Sequence, residues 1–285
     1  MCRLLLTHSA GTAYDAGDAK LMKYQAYKQK TPNAGSDVLS RFIYPLIFEP
    51  GESWSYGTGI DWAGLVVERV AKTTLEDFMR KHIWDPLGIT TTTFFPSKQP
   101  ELNSRVPMLS VRTPDAQLAP YTNPFINTGS TGCFGGHGLY STMSDYLKFQ
   151  LSLLRNDGKL LSPASVDLMF TPQLTSASTA GLKDFMYSPM GAFFIGEMFP
   201  EKKHSWGIGG ILFLEDHEGR RRKGTLSWGG MANTFWSLDR EAGLAITVGT
   251  QLLPPGDRVY ESVVTEVEKG VYAMAGRSGK ESGRL

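Results

Sequence analysis

Phe48-Glu49-Pro50-Gly51-Glu52-Ser53-Trp54-Ser55-Tyr56-Gly57-Thr58-Gly59-Ile60-Asp61-Trp62-Ala63-Gly64 is the stretch whose reading decides this chain. Phe48-Glu49-Pro50-Gly51 is a turn signal, and it delivers one tyrosine just ahead of a segment with helical periodicity. Over residues 60–72, Ile60, Ala63, Leu65, Val66, Val67 and Val70 make a broad apolar helical face. Taken alone, a tyrosine after such a turn is a packing residue. What surrounds it along the chain changes that reading.

Ahead of Phe48 the chain reads as irregular. Behind the first helix, Thr74 is a plausible N-cap for a second, with Glu76 and Asp77 in its first turn. That helix is expected to stop near Asp85-Pro86-Leu87-Gly88. Residues 96–124, rich in proline and polar side chains, read as a long loop. Ser141 is expected to open a further helix that closes at Asn156-Asp157-Gly158, and Ser162 to cap another. The glycine-rich run 132–138 reads as a tight turn that lets the helix from Ser141 pack closely. From about Met186 short alternating segments follow, at 193–198, 205–214, 223–228, 232–238 and 244–251, separated by Gly, Asp and Glu turns. Asp257 to Met274 reads as a closing amphipathic helix with Val259, Val263, Val264, Val267 and Val271 on its apolar side. Helices, then an antiparallel meander, then one helix predict an α+β fold. The expectation is one domain over 1–285, with 1–185 mostly helix and loop and 186–285 the sheet and closing helix.

Composition narrows the function. The 285 residues are 41% hydrophobic and 20% charged, with 29 basic residues against 28 acidic ones. That balance gives no electrostatic case for nucleic acid or an anionic membrane as partner. The dense basic run Arg220-Arg221-Arg222-Lys223 lies between strand-like segments and reads as a solvated hairpin turn rather than an anion patch. Two cysteines, Cys2 and Cys133, make no disulfide framework. No apolar stretch reaches the roughly 18 residues of a membrane span, so the chain reads as soluble and cytoplasmic. The five histidines, His8, His82, His137, His204 and His217, lack metal-ligand spacing, and no metal or other cofactor is expected. His8 reads as a buried hydrogen-bonding residue.

Several further segments keep a recognisable order around Tyr56. Leu4-Leu5-Leu6-Thr7-His8-Ser9-Ala10-Gly11 lies upstream. His82-Ile83-Trp84-Asp85-Pro86-Leu87-Gly88, Thr93-Phe94, and Gly135-Gly136-His137-Gly138-Leu139-Tyr140-Ser141-Thr142 with Asp145-Tyr146 lie downstream, then Ser227-Trp228-Gly229-Gly230. From residue 4 to about 252 the chain resembles the class C β-lactamase and penicillin-binding-protein-like serine hydrolases. Within them it is most similar to the fungal transesterases of the lovastatin acyltransferase type and to related carboxylesterases. The resemblance implies a serine β-lactamase/transpeptidase-like fold.

It also implies a chemistry. In that family a Ser-x-x-Lys pair places nucleophile and lysine on one helical face, and a tyrosine completes the proton relay; Tyr56 matches it. The strand motif matches Trp228-Gly229-Gly230, with the N–H of Met231 as one half of an oxyanion hole. Trp-Gly-Gly in place of Lys-Thr-Gly removes the cation that holds a β-lactam carboxylate, which favours ester chemistry over a β-lactamase or peptidase. Tyr56-Gly57-Thr58 likewise lacks the asparagine of the Tyr-x-Asn form. Arg41 either stands near the acyl-substrate pocket, as an arginine does in the fungal transesterases, or anchors a loop. Tyr121 lies in a loop of the kind that covers such sites. Among the 285 residues no serine, threonine or cysteine is followed three positions later by lysine. The resemblance puts that motif ahead of residue 4, with the N-terminal strands of the sheet. The expectation is therefore a monomeric enzyme of small-molecule acyl donors and acceptors, a transesterase or carboxylesterase of secondary metabolism. The alternative is a truncated or catalytically inactive member that binds without turnover.

Overall fold

The computed structural model describes residues 2–191 and 200–282. They form two compact units, between which the chain passes several times. The first comprises Met1–Val106, Thr122–Asp145 and Gln173–Phe185; the second comprises Pro107–Tyr121, Tyr146–Pro172 and Met186–Leu285.

The first unit is built on helices. α1 (Cys2–Leu6), α2 (Ala19–Tyr27) and α3 (Val38–Phe42) lie ahead of Phe48, where the sequence read as irregular. All three are short, which hides their periodicity, and Asp18 and Asp37 cap the second and third through side-chain oxygens. α4 (Gly59–Ala71) matches the expected helix to within a residue. α5 (Leu75–Met79) begins at Thr74, whose hydroxyl accepts the Asp77 N–H at 3.1 Å. The helix then passes through a π turn at Arg80–Trp84 and a last turn, α6 (Asp85–Leu87). Pro86 lies in that last turn directly after the π turn, and Gly88 ends it in the left-handed conformation. The glycine run 132–138 packs against α4: Gly135 stands so close to the Ile60 carbonyl that a β-carbon would meet it at 2.8 Å. The close packing that Gly135 and Gly136 permit is therefore with α4, while Gly132 meets Asp37 and Gly138 meets Phe134 and Phe94; the atoms nearest to these glycines do not belong to the helix after Ser141. Val38, Phe42 and Phe134 form the core there, with Tyr14, Tyr44, Trp62 and Leu65 against them.

Residues 96–124 hold more order than expected. α7 (Pro100–Asn103), β1 (Ser110–Arg112) and β2 (Leu118–Pro120) lie within them, the strands joined by a turn with Ala116 at positive φ. Three-residue strands carry too little alternation to read from sequence. The helix expected from Ser141 is α8 (Met143–Arg155), and its cap is Thr142, which accepts the Asp145 N–H. α9 (Pro163–Met169) follows the Ser162 cap, and α10 spans Ser176–Tyr187.

In the second unit β3 (His204–Trp206), β4 (Ile211–Phe213), β5 (Leu226–Gly230), β6 (Thr234–Asp239) and β7 (Leu244–Gly249) form an antiparallel sheet in that order. Segment 205–214 is thus a hairpin, broken by the glycines within residues 207–210. The 193–198 segment lies outside the described residues. β8 (Leu252–Leu253) pairs in parallel with β1, making a second, three-stranded sheet with β2.

Two expectations fail on the closing helix, which spans Arg258–Ser282. Val259, Val263 and Val267 are exposed, while Tyr260, Val264, Thr265 and Glu268 are buried. The reason is the basic run. Arg220 and Arg221 are not solvated but buried, and the Arg221 guanidinium donates to both Glu268 oxygens at 2.7 and 2.6 Å. Arg220 donates to the Thr265 hydroxyl at 2.8 Å. Phe213 and Phe235 flank the Arg221 guanidinium at 5.2 and 4.9 Å. Tyr260 and Tyr272 reach the Val248 carbonyl and Asp239 from the same face. Polar groups that must find partners when buried outweigh the valines in setting the helix's rotation.

Beside this pair lie His204 and His217, their rings 5.7 Å apart. Burial, foremost, pushes their pKa values down to about 4 and about 3, with Arg221 opposing protonation of both. The unfolded chain binds protons on these rings more readily than the folded one. Their contribution is therefore whole above about pH 6.5 and is lost as pH falls toward 4. The urea midpoint is expected to be lower at pH 5 than at pH 7.5, and His217→Phe to flatten that slope. An unchanged slope in the variant would refute the assignment.

Candidate active site

Tyr56 is positioned by backbone. The segment ahead of it runs beside residues 8–11: the Ile47 N–H donates to the Gly11 carbonyl, Gly51 to Ser9 and Ser55 to His8, at 2.9, 2.8 and 3.0 Å. The Thr-His-Ser motif and the tyrosine motif are thus hydrogen-bonded neighbours. Behind the tyrosine, a β-carbon on Gly57 would stand 2.3 Å from the Ala13 Cα, so only glycine allows that approach.

The ring of Tyr56 lies between two others, His8 at 4.9 Å and Tyr14 at 5.7 Å between centroids. His8 is buried, and its Nδ1 accepts the Gly57 N–H at 3.4 Å, which leaves the proton of the neutral ring on Nε2. Burial holds its pKa down to about 3 despite that bond, so it adds no cation beside the phenol. Tyr14 donates to Asp61 Oδ2 at 3.2 Å. Its own pKa is pushed well above the usual phenol value, first by burial and then by Asp61. Asp61, Tyr14 and His137 were not singled out in the sequence. One carboxylate in a helix of small and apolar residues looks like a solvent-facing position. The available signal was its place three residues ahead of Gly64, on the side of α4 that the glycines mark as close-packed.

Arg41 is buried. Its guanidinium donates to the Gly35 and Ile126 carbonyls, approaches His137 Nε2 at 3.2 Å and lies 4.1 Å from the Phe134 ring centre. These bonds tie Arg41 to the loops around it.

Trp228, Gly229, Gly230, Met231 and Tyr121 belong to the second unit. Trp228 is buried on β5, opposite Trp236 on β6, with its ring edge-on to Trp206 at 4.8 Å. Gly229 and Gly230 face Phe235 and Thr234. Met231, half-exposed, starts the tight connection 231–233 to β6. Asn233 fixes that connection: it is buried at positive φ, donates to the Leu252 and Pro254 carbonyls, and accepts the Gly256 and Asp257 N–H groups. Asn233→Ala is expected to cost about 3 kcal/mol, since several buried groups lose their partners. A urea midpoint within error of wild type would refute it. Tyr121, half-buried after β2, bonds through its N–H to the Leu109 carbonyl.

No helix among the described residues is long and apolar enough to cross a membrane. Known proteins place the chain. It is 41% identical over 258 residues to a lovastatin esterase of Penicillium rubens, covering 90% of this chain and 65% of that protein. It is 35% identical over 275 residues to a monacolin J acid methylbutanoyltransferase of Aspergillus terreus, covering 95% and 67%. A mutant of simvastatin synthase from Aspergillus terreus superposes with a TM-score of 0.89 at 36% identity, over 97% of this chain and 66% of that one. The chain thus spans about two thirds of the length of the relatives it matches. The α+β fold is the β-lactamase/transpeptidase-like one expected from the motifs. With the β-lactamase family model matching residues 2–265 in addition, this chain belongs to the β-lactamase family.

Proposed function

We propose that this chain supplies the tyrosine and the oxyanion strand of an enzyme that moves an acyl group from a small-molecule ester to water or to an alcohol through a serine acyl-enzyme. What supports the reading most directly is the setting of Tyr56, delivered by a backbone-bonded turn and held between the His8 and Tyr14 rings. In this reading Tyr56 serves as the base of the relay, and the Met231 N–H donates to the developing oxyanion. Trp228-Gly229-Gly230 provides no cation for a β-lactam carboxylate, which favours esters. One relative is named an esterase and another a methylbutanoyltransferase, which puts hydrolysis and transfer both within the scope of such a site. The same reading takes the protein as a soluble, cytoplasmic monomer of secondary metabolism.

A second reading, binding without turnover, is favoured by the lack of any Ser, Thr or Cys followed three positions later by lysine among the 285 residues. Turnover decides between them. If the 285-residue chain turns over by itself, it hydrolyses p-nitrophenyl butyrate and a fluorophosphonate labels it at one residue. A cooperatively folded chain that is neither labelled nor active would overturn the enzyme reading in favour of the second.

A further inference from the structure

Asp61 is fully buried, five residues after Tyr56 on the adjoining helix. A buried carboxylate is costly unless its lone pairs are used, and here two donors bond it and an imidazole nitrogen stands close by. The Tyr14 hydroxyl lies 3.2 Å from Oδ2, the Gly136 N–H 2.9 Å from Oδ1, and His137 Nδ1 3.4 Å from Oδ1. On its other side His137 presents Nε2 to the Arg41 guanidinium at 3.2 Å. Because arginine only donates, Nε2 accepts, and Nδ1 faces Asp61 at 3.4 Å without a hydrogen bond to it. The His137 imidazole therefore stands between a carboxylate and a guanidinium, and the guanidinium is itself tied to the Gly35 and Ile126 carbonyls.

The arrangement is aimed at Tyr14. A β-carbon on Gly136 would stand 2.7 Å from Asp61 Oδ2 and 2.8 Å from the Tyr14 hydroxyl, so glycine is needed where carboxylate and phenol meet. Filling space would not call for this. A phenylalanine at 14 and an apolar residue at 61 would pack the same volume without burying a charge. What the carboxylate adds is direction, because it fixes where the Tyr14 hydroxyl points and hence how its ring meets Tyr56, Phe42 and His137.

We propose that Asp61 is a positioning residue for Tyr56, acting through the Tyr14 ring, with His137 and Arg41 holding the carboxylate in place. Its catalytic meaning rests on the reading of Tyr56 as the reacting phenol, but the positional claim can be measured without turnover. The chain carries 11 tyrosines. Labelled with carbon-13 at the tyrosine Cζ, it gives a Tyr56 resonance that Tyr56→Phe assigns by its loss.

Asp61→Asn and Tyr14→Phe are each expected to move that resonance. Asp145→Ala, which removes a buried carboxylate bonded to Thr90 and Thr91 and to no ring of the cluster, is expected to leave it in place. If the chain is active, Asp61→Asn is further expected to lower kcat about tenfold or more with KM little changed, as misplacement of a reacting group does. A folded Asp61→Asn and Tyr14→Phe with the Tyr56 resonance at its wild-type position would overturn the proposal. Should Asp61→Asn fail to fold, Tyr14→Phe decides, since it keeps the ring and removes only the tethered hydroxyl. An inactive chain whose Tyr56 resonance moves as stated would sink the enzyme reading and leave the positioning intact.

Discussion

Glu268→Ala is expected to lose about 3–5 kcal/mol of folding stability, the cost of stranding buried charge. Glu268 is 0% exposed, and Arg220 and Arg221 are 6% and 2% exposed, so water cannot reach in to replace the lost carboxylate. Arg221 would lose both of its bonds to Glu268, and Arg220 its ion pair at 3.5 Å, while Thr265 would keep only a partial hold on it. A domain stable by about 5–15 kcal/mol in total has little room for this. Urea unfolding followed by circular dichroism measures the loss. The pair is not irreplaceable: Arg221→Met with Glu268→Leu removes both charges and is expected to recover part of the stability that the single change loses. A Glu268→Ala midpoint near wild type would mean that the ion pair is not buried in solution.

Tyr56→Phe is expected to lower kcat/KM for an ester by about 100-fold to 10,000-fold, the range typical of a missing general acid or base. The change removes one oxygen and keeps the ring, so the stacks with His8 and Tyr14 survive. Folding stability should therefore move by less than about 1 kcal/mol, and the loss should fall on kcat while KM stays close to its value. Equal rates in the two proteins, with turnover confirmed to be enzymatic, would remove Tyr56 from the reaction.

Local signals in the sequence proved dependable. The α4 span, the Thr74 and Ser162 caps and the segments that became β5, β6 and β7 are written in residues that sit beside one another, whereas Val66 and Val70 of the expected α4 face are exposed and 205–214 divides into two strands. What escaped reading depends on partners far away along the chain. Arg221 and Glu268 are 47 residues apart, and nothing near a run of four cations announces that one glutamate will draw two of them inside. The same pair turned the closing helix so that Val259, Val263 and Val267 face outward, against their periodicity. The site divides in the same way. Tyr56 and Trp228-Gly229-Gly230 are contiguous motifs and could be quoted. Asp61 has meaning only through Tyr14, His137 and Arg41, which come from three other segments.

The pairing of β1 with β8 bears on how the protein is made. A ribosome releases the residues of the first compact unit by Phe185, whereas the last strand of the three-stranded sheet, Leu252–Leu253, comes much later. The helical unit can therefore begin to order while the second unit is still being synthesised, and Ser110 and Val111 wait unpaired on that edge until Leu252 and Leu253 have been made. Such delayed, long-range closure slows folding and leaves an edge open to wrong partners in the meantime. Pulsed proteolysis of stalled nascent chains should find the first unit protected before the second. Simultaneous protection of both would show that neither forms without the other.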